Sequence, residues 1–351
     1  MNKTALTAIL LVLLFSVPVS VCVVKHAEVI EAERRKISPF PDMPSSLGAK
    51  RVKRFFREFE QYYNDRILGR SALLKLSNHI HRGGKADLDP GKCYRGKDDW
   101  LFLGNDYDRC VDALTGTWIP SKAQREAQVR FFKGIDNIVR SCGAEFHMLI
   151  GPNKSTIYPE YLPPLTFPAK KRAISPLVEQ LKAKGISIFD SAEHLLNNKD
   201  KGLLYYRSDT HWNHLGAKLA FEGFLAQSRM AELPGVILAP QGPYRGDLVS
   251  IGGYRKFPLT KGDSFHPRWK VEGHKPAIDK NVLVLGDSFS GALMYYLEGI
   301  FTKVHRVHYN KVASRNKDVN NVLDYIKKLD KKPDIVIWVQ VERIFTHWGN
   351  S

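Results

Sequence analysis

The sequence has few cysteines, a shortage of acidic residues and only one long hydrophobic run. That run covers residues 5–24, follows Lys3, and predicts either a cleaved secretory signal or a membrane anchor. No later apolar run is long enough to span a bilayer, so we expect the rest of the chain to form one soluble body outside the cytoplasmic membrane. Lipidation at Cys22 is a minor alternative, because Val21 stands where a small residue is required.

Three of the four cysteines lie beyond this segment. In an oxidising compartment, the separation of 17 residues between Cys93 and Cys110 allows a disulfide, which leaves Cys142 at the end of a helix. Spacing alone does not determine pairing, so three buried thiols are the alternative.

Acidic residues number 36 against 53 lysines and arginines, which gives a formal net charge of +17. Outside the cytoplasm, the anionic partners to expect are acidic polysaccharides and lipid headgroups, and nucleic acid is not expected. The alternative is a dispersed charge that only keeps the protein soluble.

The chain divides by composition into a leader and three further parts. After residues 1–24, residues 25–49 are charged and then rich in proline and serine, which predicts a linker. Residues 50–89 carry apolar side chains at helical spacing and predict a helical hairpin that packs on the catalytic domain, residues 90–351. Residues 230–280 show little periodicity and predict an irregular insertion.

The domain over residues 90–351 alternates apolar strands with amphipathic helices, which indicates an α/β fold with a doubly wound parallel sheet. The predicted core strands are 145–150, 186–190, 282–285, 304–308 and 335–339. The predicted helices cover 121–143, 170–184 and 215–229, with two more that begin near Ser290 and Asp318. In such a sheet the active site lies at the carboxyl ends of the strands.

The strand at 282–285 runs into Gly286-Asp287-Ser288 and then into a helix. This order places Ser288 at a helix N-terminus, where free backbone N–H groups can stabilise an oxyanion. Taken alone, the pattern also fits a glycine turn in which Ser288 or Ser290 is the helix N-cap.

A nucleophilic serine needs a general base, and the base needs a carboxylate that orients it. The segment Asp209-Thr210-His211 supplies both, so we predict a catalytic triad of Ser288, His211 and Asp209. The alternatives are a metal site built from Asp209, His211 and His214, and a purely structural His211.

The two motifs together resemble the SGNH hydrolase superfamily, which has a Gly-Asp-Ser block and an Asp-x-x-His block. Here the histidine block precedes the serine by 77 residues, and its spacing is Asp-x-His. The reversed order predicts a circularly permuted sheet, in which the strands at 145–150 and 186–190 correspond to the last two strands.

Both departures are similar to the alginate O-acetyltransferase family of the AlgJ and AlgX type, and the segments 59–66, 97–102, 151–158 and 209–212 also resemble it. The resemblance implies a periplasmic enzyme that acetylates an exopolysaccharide, acidic or neutral, through a serine acyl-enzyme. It also implies a membrane-bound acyltransferase that supplies acetyl groups, further polysaccharide export subunits as partners, and no bound cofactor or metal. The acetyl donor is left open.

Five residues are candidates for substrate binding: Lys154, Trp212, Asn310, Gln340 and Arg343. Lys154 and Arg343 lie at strand ends, where a cation can meet an acidic sugar, and we expect Arg207 and Arg315 to line the same path to Ser288. Asn310 and Gln340 stand where the superfamily resemblance implies oxyanion donors. Two other functions use the same features, a polysaccharide acetyl esterase and a non-catalytic polysaccharide-binding scaffold.

Overall fold

The computed structural model describes most of residues 90–347 and short stretches of the chain before them. The described residues are 29–30, 35–36, 39–43, 55–56, 58–59, 62, and 90–347 without 164–165, 231, 234, 255–256, 272–273 and 314–318. The chain divides into two compact units, residues 1–87 and residues 88–351.

In the first unit, two strands of two residues each, Val29–Ile30 and Arg35–Lys36, pair in antiparallel fashion. Residues 55–56 and 58–59 are helical, and the rings of Phe55 and Phe59 stack with their centroids 6.1 Å apart. The predicted leader, and most of the predicted linker and hairpin, lie outside the described residues. Within the part of the chain that is described, no helix is both long enough and apolar enough to cross a membrane.

The second unit contains nine strands and eleven α-helices among its described residues. The strands are β1 (Cys93–Arg95), β2 (Leu101–Leu103), β3 (Glu145–Gly151), β4 (Ser187–Asp190), β5 (Val236–Pro240), β6 (Phe265–Trp269), β7 (Ile278–Gly286), β8 (Phe301–His308) and β9 (Ile335–Val341). The helices are α1 (Cys110–Thr115), α2 (Lys122–Ser141), α3 (Lys154–Ile157), α4 (Ser175–Ala183), α5 (Ala192–Leu196), α6 (His214–Gln227), α7 (Asp247–Ile251), α8 (Ser290–Ile300), α9 (Tyr309–Val312), α10 (Asn320–Lys327) and α11 (Glu342–His347).

Five strands form a parallel central sheet in the order β8-β7-β9-β3-β4. Counted from β7, this order is 2-1-3-4-5, which is one of the common doubly wound orders. The α/β fold is confirmed, and the strand order shows the circular permutation that the reversed motifs predict. All five predicted core strands are present.

The centre of the sheet is buried on both faces because its strands are mostly apolar. All seven residues of β9 are buried, and its six apolar residues alternate between two hydrophobic clusters. One cluster packs α6 and α8 against the sheet, and the other packs α2, α4 and α10. Ser121 is the N-cap of helix α2, and its side chain accepts a hydrogen bond from the Gln124 N–H in a capping box.

The predicted helix over 170–184 is shorter in the structure, where α4 begins at Ser175 with Pro176 in its first turn. A proline is tolerated there because its missing N–H has no partner within the first turn. The segment 230–280 is not wholly irregular, since β5 and β6 form an antiparallel pair and α7 lies between them. Pro240 and Pro267 interrupt the strand pattern of that pair in the sequence.

The suggested disulfide between Cys93 and Cys110 is wrong. Cys93 in β1 is fully buried, Cys110 at the start of α1 is 6% exposed, and both are present as thiols. Burial raises the pKa of the Cys110 thiol to about 12. Cys110 is therefore a buried, unreactive thiol.

Arg172 joins the carboxyl ends of two strands. Its Nη1 donates to Asp190 Oδ2 at 2.7 Å, at the end of β4, and its Nε donates to Glu342 Oε1 at 3.1 Å, directly after β9. Glu342 Oε2 also accepts hydrogen bonds from the Asn153 N–H at 3.0 Å and from Thr156 Oγ1 at 3.1 Å. The network fixes the loops that follow β3, β4 and β9.

Arg172→Ala should lower the free energy of unfolding by about 3 kcal/mol, because it leaves the carboxylates of Asp190 and Glu342 largely buried without their cation. Lys171→Ala is the matched control, since Lys171 pairs with Glu179 while both side chains are more than half exposed. Loss of that pair should cost less than about 1 kcal/mol. Urea unfolding followed by circular dichroism measures both, and equal losses would contradict the assigned role.

Candidate active site

An open cleft lies at the carboxyl ends of the central strands. Its volume is about 230 Å³. The residues that line it are Tyr206, Asp209, His211, Trp212, Tyr244, Ser288 and Ala292. The cleft therefore brings together both predicted catalytic motifs, which lie 77 residues apart in the chain.

The turn between β7 and α8 holds Ser288 at the protein surface. Buried Asp287 accepts hydrogen bonds from the Phe289 N–H at 2.9 Å and from the Val341 N–H at 2.8 Å. A Cβ on Gly286 would lie 2.4 Å from Ser290 Oγ, so glycine is required before the turn. The turn is thus fastened to β9 on one side, and the Ser288 side chain is exposed on the other.

The three predicted triad residues are in hydrogen-bond contact. His211 Nε2 lies 2.8 Å from Ser288 Oγ, and His211 Nδ1 lies 2.6 Å from Asp209 Oδ1. The Asp209 carboxylate also accepts from the His211 backbone N–H at 2.9 Å. With Nδ1–H donating to the carboxylate, Nε2 faces the serine hydroxyl as an acceptor, which is the arrangement a general base needs.

Asp209 is held as a carboxylate. Burial opposes its ionisation. The pKa of Asp209 is nevertheless held well below its usual value, because the carboxylate accepts hydrogen bonds from His211 and from the Asp247 backbone and is attracted by the charge of His211. Its Oδ2 accepts from the Tyr244 hydroxyl at 3.0 Å and from the Asp247 N–H at 2.9 Å. The carboxylate can therefore orient the imidazole and stabilise its protonated form.

Tyr244 and Asp247 contact Asp209, and the sequence did not reveal that they belong to the site. Both come from the segment predicted to be an irregular insertion, and they follow Asp209 by 35 and 38 residues. The surrounding residues, Gly242-Pro243-Tyr244-Arg245-Gly246-Asp247, carry only the composition of a turn. Nothing in that composition indicates contact with a catalytic aspartate.

Lys154 was predicted to bind substrate, but the structure places it outside the cleft lining. Its side chain is buried, and Nζ donates to the carbonyl oxygens of Tyr206 at 3.1 Å, Arg207 at 3.0 Å and Asp209 at 2.6 Å. Burial lowers the pKa of Lys154 to about 7. The lysine holds the turn that carries Asp209 and His211.

The other predicted substrate contacts also differ from the structure. Gln340 is fully buried, its Oε1 accepts from Trp338 Nε1 at 2.7 Å, and its Nε2 donates to the Tyr309 hydroxyl at 3.4 Å, so its amide is directed away from the cleft lining. Arg343 packs over the Phe289 ring, with its guanidinium 5.7 Å from the ring centroid, and does not line the cleft. Asn310 is exposed but lies outside the cleft lining.

Trp212 is the one substrate candidate that lines the cleft, although its side chain is almost completely buried. Its Nε1 donates to the Phe289 carbonyl oxygen at 3.1 Å, which ties the histidine motif to the residue after the nucleophile. Among the described residues, the Ser288 N–H has no hydrogen-bond acceptor. It is therefore free to donate to an oxyanion.

The metal alternative is not supported in its predicted form. Among the described residues, the group whose ligand atoms lie within 4.8 Å of one another is Asp209, His211 and Asp247, without His214. The His214 ring packs against Tyr296, with 6.2 Å between the ring centroids. Because both ring nitrogens of His211 already contact Asp209 and Ser288, this geometry favours the triad.

The comparison with known proteins identifies similar domains. Residues 93–253 match the family model of the SGNH hydrolase-like domain of the acetyltransferase AlgX. The resemblance predicted from the motifs is confirmed. The matched residues include Asp209, His211 and the insertion residues Tyr244 and Asp247, and they end before Ser288.

Two curated relatives are probable alginate O-acetylases named AlgJ. The chain is 24% identical over 213 residues to AlgJ of Pseudomonas aeruginosa, an alignment that covers 58% of this chain and 51% of that protein. It is 29% identical over 168 residues to AlgJ of Pseudomonas syringae pv. tomato, which covers 44% of this chain and 40% of that protein. The matched part of the chain spans about half the length of these relatives or less.

Three solved structures share the fold, each with a TM-score of 0.50. The O-acetyltransferase domain of Pseudomonas putida AlgJ is 19% identical, and the match covers 72% of this chain and 92% of that domain. AlgX of Pseudomonas aeruginosa is 17% identical, with 71% and 61% covered. PatB1 of Bacillus cereus is 14% identical, with 72% and 97% covered.

The buried Lys154 predicts a pH dependence of stability. The unfolded chain keeps the ordinary lysine pKa of 10.5 and binds the proton more tightly than the folded chain, whose Lys154 pKa is about 7. The contribution of Lys154 is therefore greatest above the unfolded pKa and is lost as the pH falls toward 7. Between these two pKa values, Lys154 should make the free energy of unfolding rise with pH, with a slope that approaches about 1.4 kcal/mol per pH unit.

The measurement compares the free energy of unfolding of wild type and Lys154→Met from pH 6 to pH 10 in urea. Wild type should gain stability relative to the variant above about pH 7, and the two curves should run parallel below it. Parallel curves over the whole range would show that Lys154 keeps its ordinary pKa.

Proposed function

We propose that this protein is a polysaccharide O-acetyltransferase that carries acetyl on Ser288. The observation that carries the proposal is the contact of 2.8 Å between His211 Nε2 and Ser288 Oγ, with Asp209 behind the imidazole. The matching domain of the acetyltransferase AlgX and the AlgJ relatives named alginate O-acetylases support acetyl transfer as the reaction.

In the first half-reaction, Ser288 Oγ attacks the carbonyl carbon of an acetyl ester while His211 Nε2 takes the serine proton. The carbonyl oxygen becomes an oxyanion, which the Ser288 N–H can stabilise. The bond between the carbonyl carbon and the donor oxygen then breaks, and the proton on His211 passes to that oxygen. The products are the acetyl-serine and the donor alcohol.

In the second half-reaction, a sugar hydroxyl replaces the donor alcohol. His211 Nε2 takes the hydroxyl proton as the sugar oxygen attacks the acetyl carbon, and the bond to Ser288 Oγ breaks. The proton then returns to Ser288, which restores the free enzyme. Asp209 keeps the same imidazole tautomer through both halves.

The cleft wall offers a surface for a sugar ring. The Tyr206 and Tyr244 rings stack with their centroids 4.2 Å apart, and both line the cleft beside Ser288. Aromatic faces supply an apolar surface for the C–H groups of a pyranose, while a few polar groups fix its orientation.

The cations that we expected along the path of an acidic polymer do not line the cleft. Lys154 is buried, and Arg207 bonds Asp263 and the Lys261 carbonyl oxygen. Arg315 lies outside the described residues. The described cleft lining contains no lysine or arginine, so its wall suits a neutral acceptor as well as an acidic one.

The setting of the reaction follows from the leader and the family resemblance. We place the enzyme in the periplasm, tethered to the inner membrane if residues 5–24 remain as an anchor. A membrane-bound acyltransferase then supplies acetyl, further export subunits present the polymer, and no bound cofactor takes part.

Ser288→Ala and His211→Ala should each abolish acetyl transfer, and the double variant should be no worse than either single change. The two groups act in one proton-transfer unit, so their losses of several orders of magnitude do not add. The assay incubates the full chain with an activated acetyl ester, with and without an oligosaccharide, and identifies the products by mass spectrometry.

The products also separate the two enzymatic functions. Acetylated sugar demonstrates transfer, whereas acetate alone, even with the oligosaccharide present, would make the protein an esterase. Activity close to wild type in folded Ser288→Ala would refute the acyl-enzyme and favour a scaffold role.

Tyr206→Ala should raise the KM for the oligosaccharide about tenfold, which corresponds to about 1.4 kcal/mol of lost binding. Its effect on kcat should be smaller, because the ring contacts the acceptor and not the reacting atoms. Tyr107→Ala is the matched control, since Tyr107 is exposed and lies outside the cleft lining. An unchanged KM in Tyr206→Ala would remove Tyr206 from the acceptor site.

A further inference from the structure

A second carboxylate lies near His211 Nδ1, the ring nitrogen that contacts Asp209. Asp247 Oδ2 is 3.7 Å from His211 Nδ1, on the side away from Ser288. The carboxylate is partly buried, with 34% of its side chain exposed. A triad of Ser288, His211 and Asp209 does not account for it.

Thr210 connects the second carboxylate to the histidine. Its Oγ1 donates to Asp247 Oδ2 at 2.6 Å, and the same oxygen lies 3.2 Å from His211 Nδ1. Because the hydroxyl proton is committed to Asp247, the free lone pair of Oγ1 faces the Nδ1–H group of the imidazole. The ring proton therefore has two acceptors, Asp209 Oδ1 and Thr210 Oγ1.

The insertion is docked firmly enough to hold this geometry. The Asp247 carboxylate accepts from the Thr210 N–H at 2.8 Å, and the Leu248 N–H donates to the Ser208 carbonyl oxygen at 3.2 Å. A Cβ on Gly246 would lie 2.3 Å from the Ser208 carbonyl oxygen and 2.5 Å from Asp209 Cβ. Only glycine allows the two backbones to approach this closely.

We propose that Asp247 is a second positioning carboxylate for His211, acting through Thr210 and directly across the gap of 3.7 Å. The inference rests on the proposed function, since it concerns the base that activates Ser288. When His211 takes the serine proton, the imidazolium has both carboxylates near Nδ1. Asp247 can therefore keep the ring oriented in a variant that lacks the charge of Asp209. The Asp-x-His spacing has a purpose in this arrangement, because its middle residue supplies the connecting hydroxyl.

The test uses two substitutions and their combination in the full chain. In a serine protease triad, loss of the orienting aspartate costs about 10⁴-fold in kcat. If two carboxylates share that role here, Asp247→Asn should lose about 10-fold and Asp209→Asn about 100-fold in kcat, whereas the double variant should lose about 10⁴-fold. The double loss then exceeds the product of the single losses, and the KM for the acetyl ester changes little.

A second readout needs no acetyl transfer. Phenylmethylsulfonyl fluoride labels an activated serine when Oγ bonds to sulfur, fluoride leaves, and the histidine takes the serine proton. The rate of labelling of Ser288, followed by mass spectrometry, should fall in the same order as kcat. Thr210→Val, which removes the hydroxyl but keeps the shape, should resemble Asp247→Asn, and Thr210→Ser should restore the rate.

Asp279→Asn is the matched control, because Asp279 lies at the opposite end of β7 from Ser288 and bonds Thr302. It should leave labelling and kcat unchanged. The proposal would be overturned if Asp247→Asn were labelled as fast as wild type and if its addition to Asp209→Asn caused no further loss. That result would leave the triad intact. Wild-type protein that is never labelled at Ser288 would overturn the acyl-enzyme and this inference together.

Discussion

In its protonated form, Lys154 Nζ donates to the carbonyl oxygens of Tyr206, Arg207 and Asp209, and the histidine half of the active site depends on these three bonds. The turn that carries the motif belongs to no helix or strand, although its Arg207 carbonyl oxygen also accepts from the Leu101 N–H of β2. Buried carbonyls without donors are costly, and the lysine supplies a donor to the carbonyls of Tyr206 and Asp209 and a second donor to that of Arg207. The residue that the sequence suggested as a contact for an acidic sugar instead supports the catalytic turn from below.

The reversed order of the motifs has no chemical consequence, because a parallel sheet brings all its carboxyl ends to one edge. The nucleophile follows β7, while the turn with Asp209 and His211 follows β4 in the chain. Asp287 connects the serine turn to β9 through the Val341 N–H, and Trp212 connects it to the histidine motif through the Phe289 carbonyl oxygen. Circular permutation changes which loop joins the strands and leaves these contacts in place.

The fold could be predicted from the sequence because its signals are local. A strand buried on both faces, such as β9, reads as a nearly continuous apolar run, and all five predicted segments are strands of the sheet. The triad was also predictable, since Gly286-Asp287-Ser288 and Asp209-Thr210-His211 each carry their geometry within a few residues. The positions of the Lys154 and Gln340 side chains could not be predicted from the sequence. Whether a side chain at a strand end points into the cleft or into the protein depends on its neighbours in space. Tyr244 and Asp247 were missed for the same reason, since they act only through docking of the insertion onto residues 208–210.

The choice between transfer and hydrolysis depends on how the acceptor is held, since the triad can activate water and a sugar hydroxyl alike. Ser288 is exposed in an open cleft, so the protein cannot favour transfer over hydrolysis mainly by excluding water. What remains is positioning, because an acceptor held in the correct orientation reacts as though it were present at very high concentration. The ring of Tyr244 forms part of the wall on which a sugar can stack, and its hydroxyl holds Asp209 Oδ2. In the proposed function, the insertion thus joins the acceptor surface to the carboxylate that orients the base, so that a sugar bound against Tyr244 would meet a histidine already aligned to accept its proton.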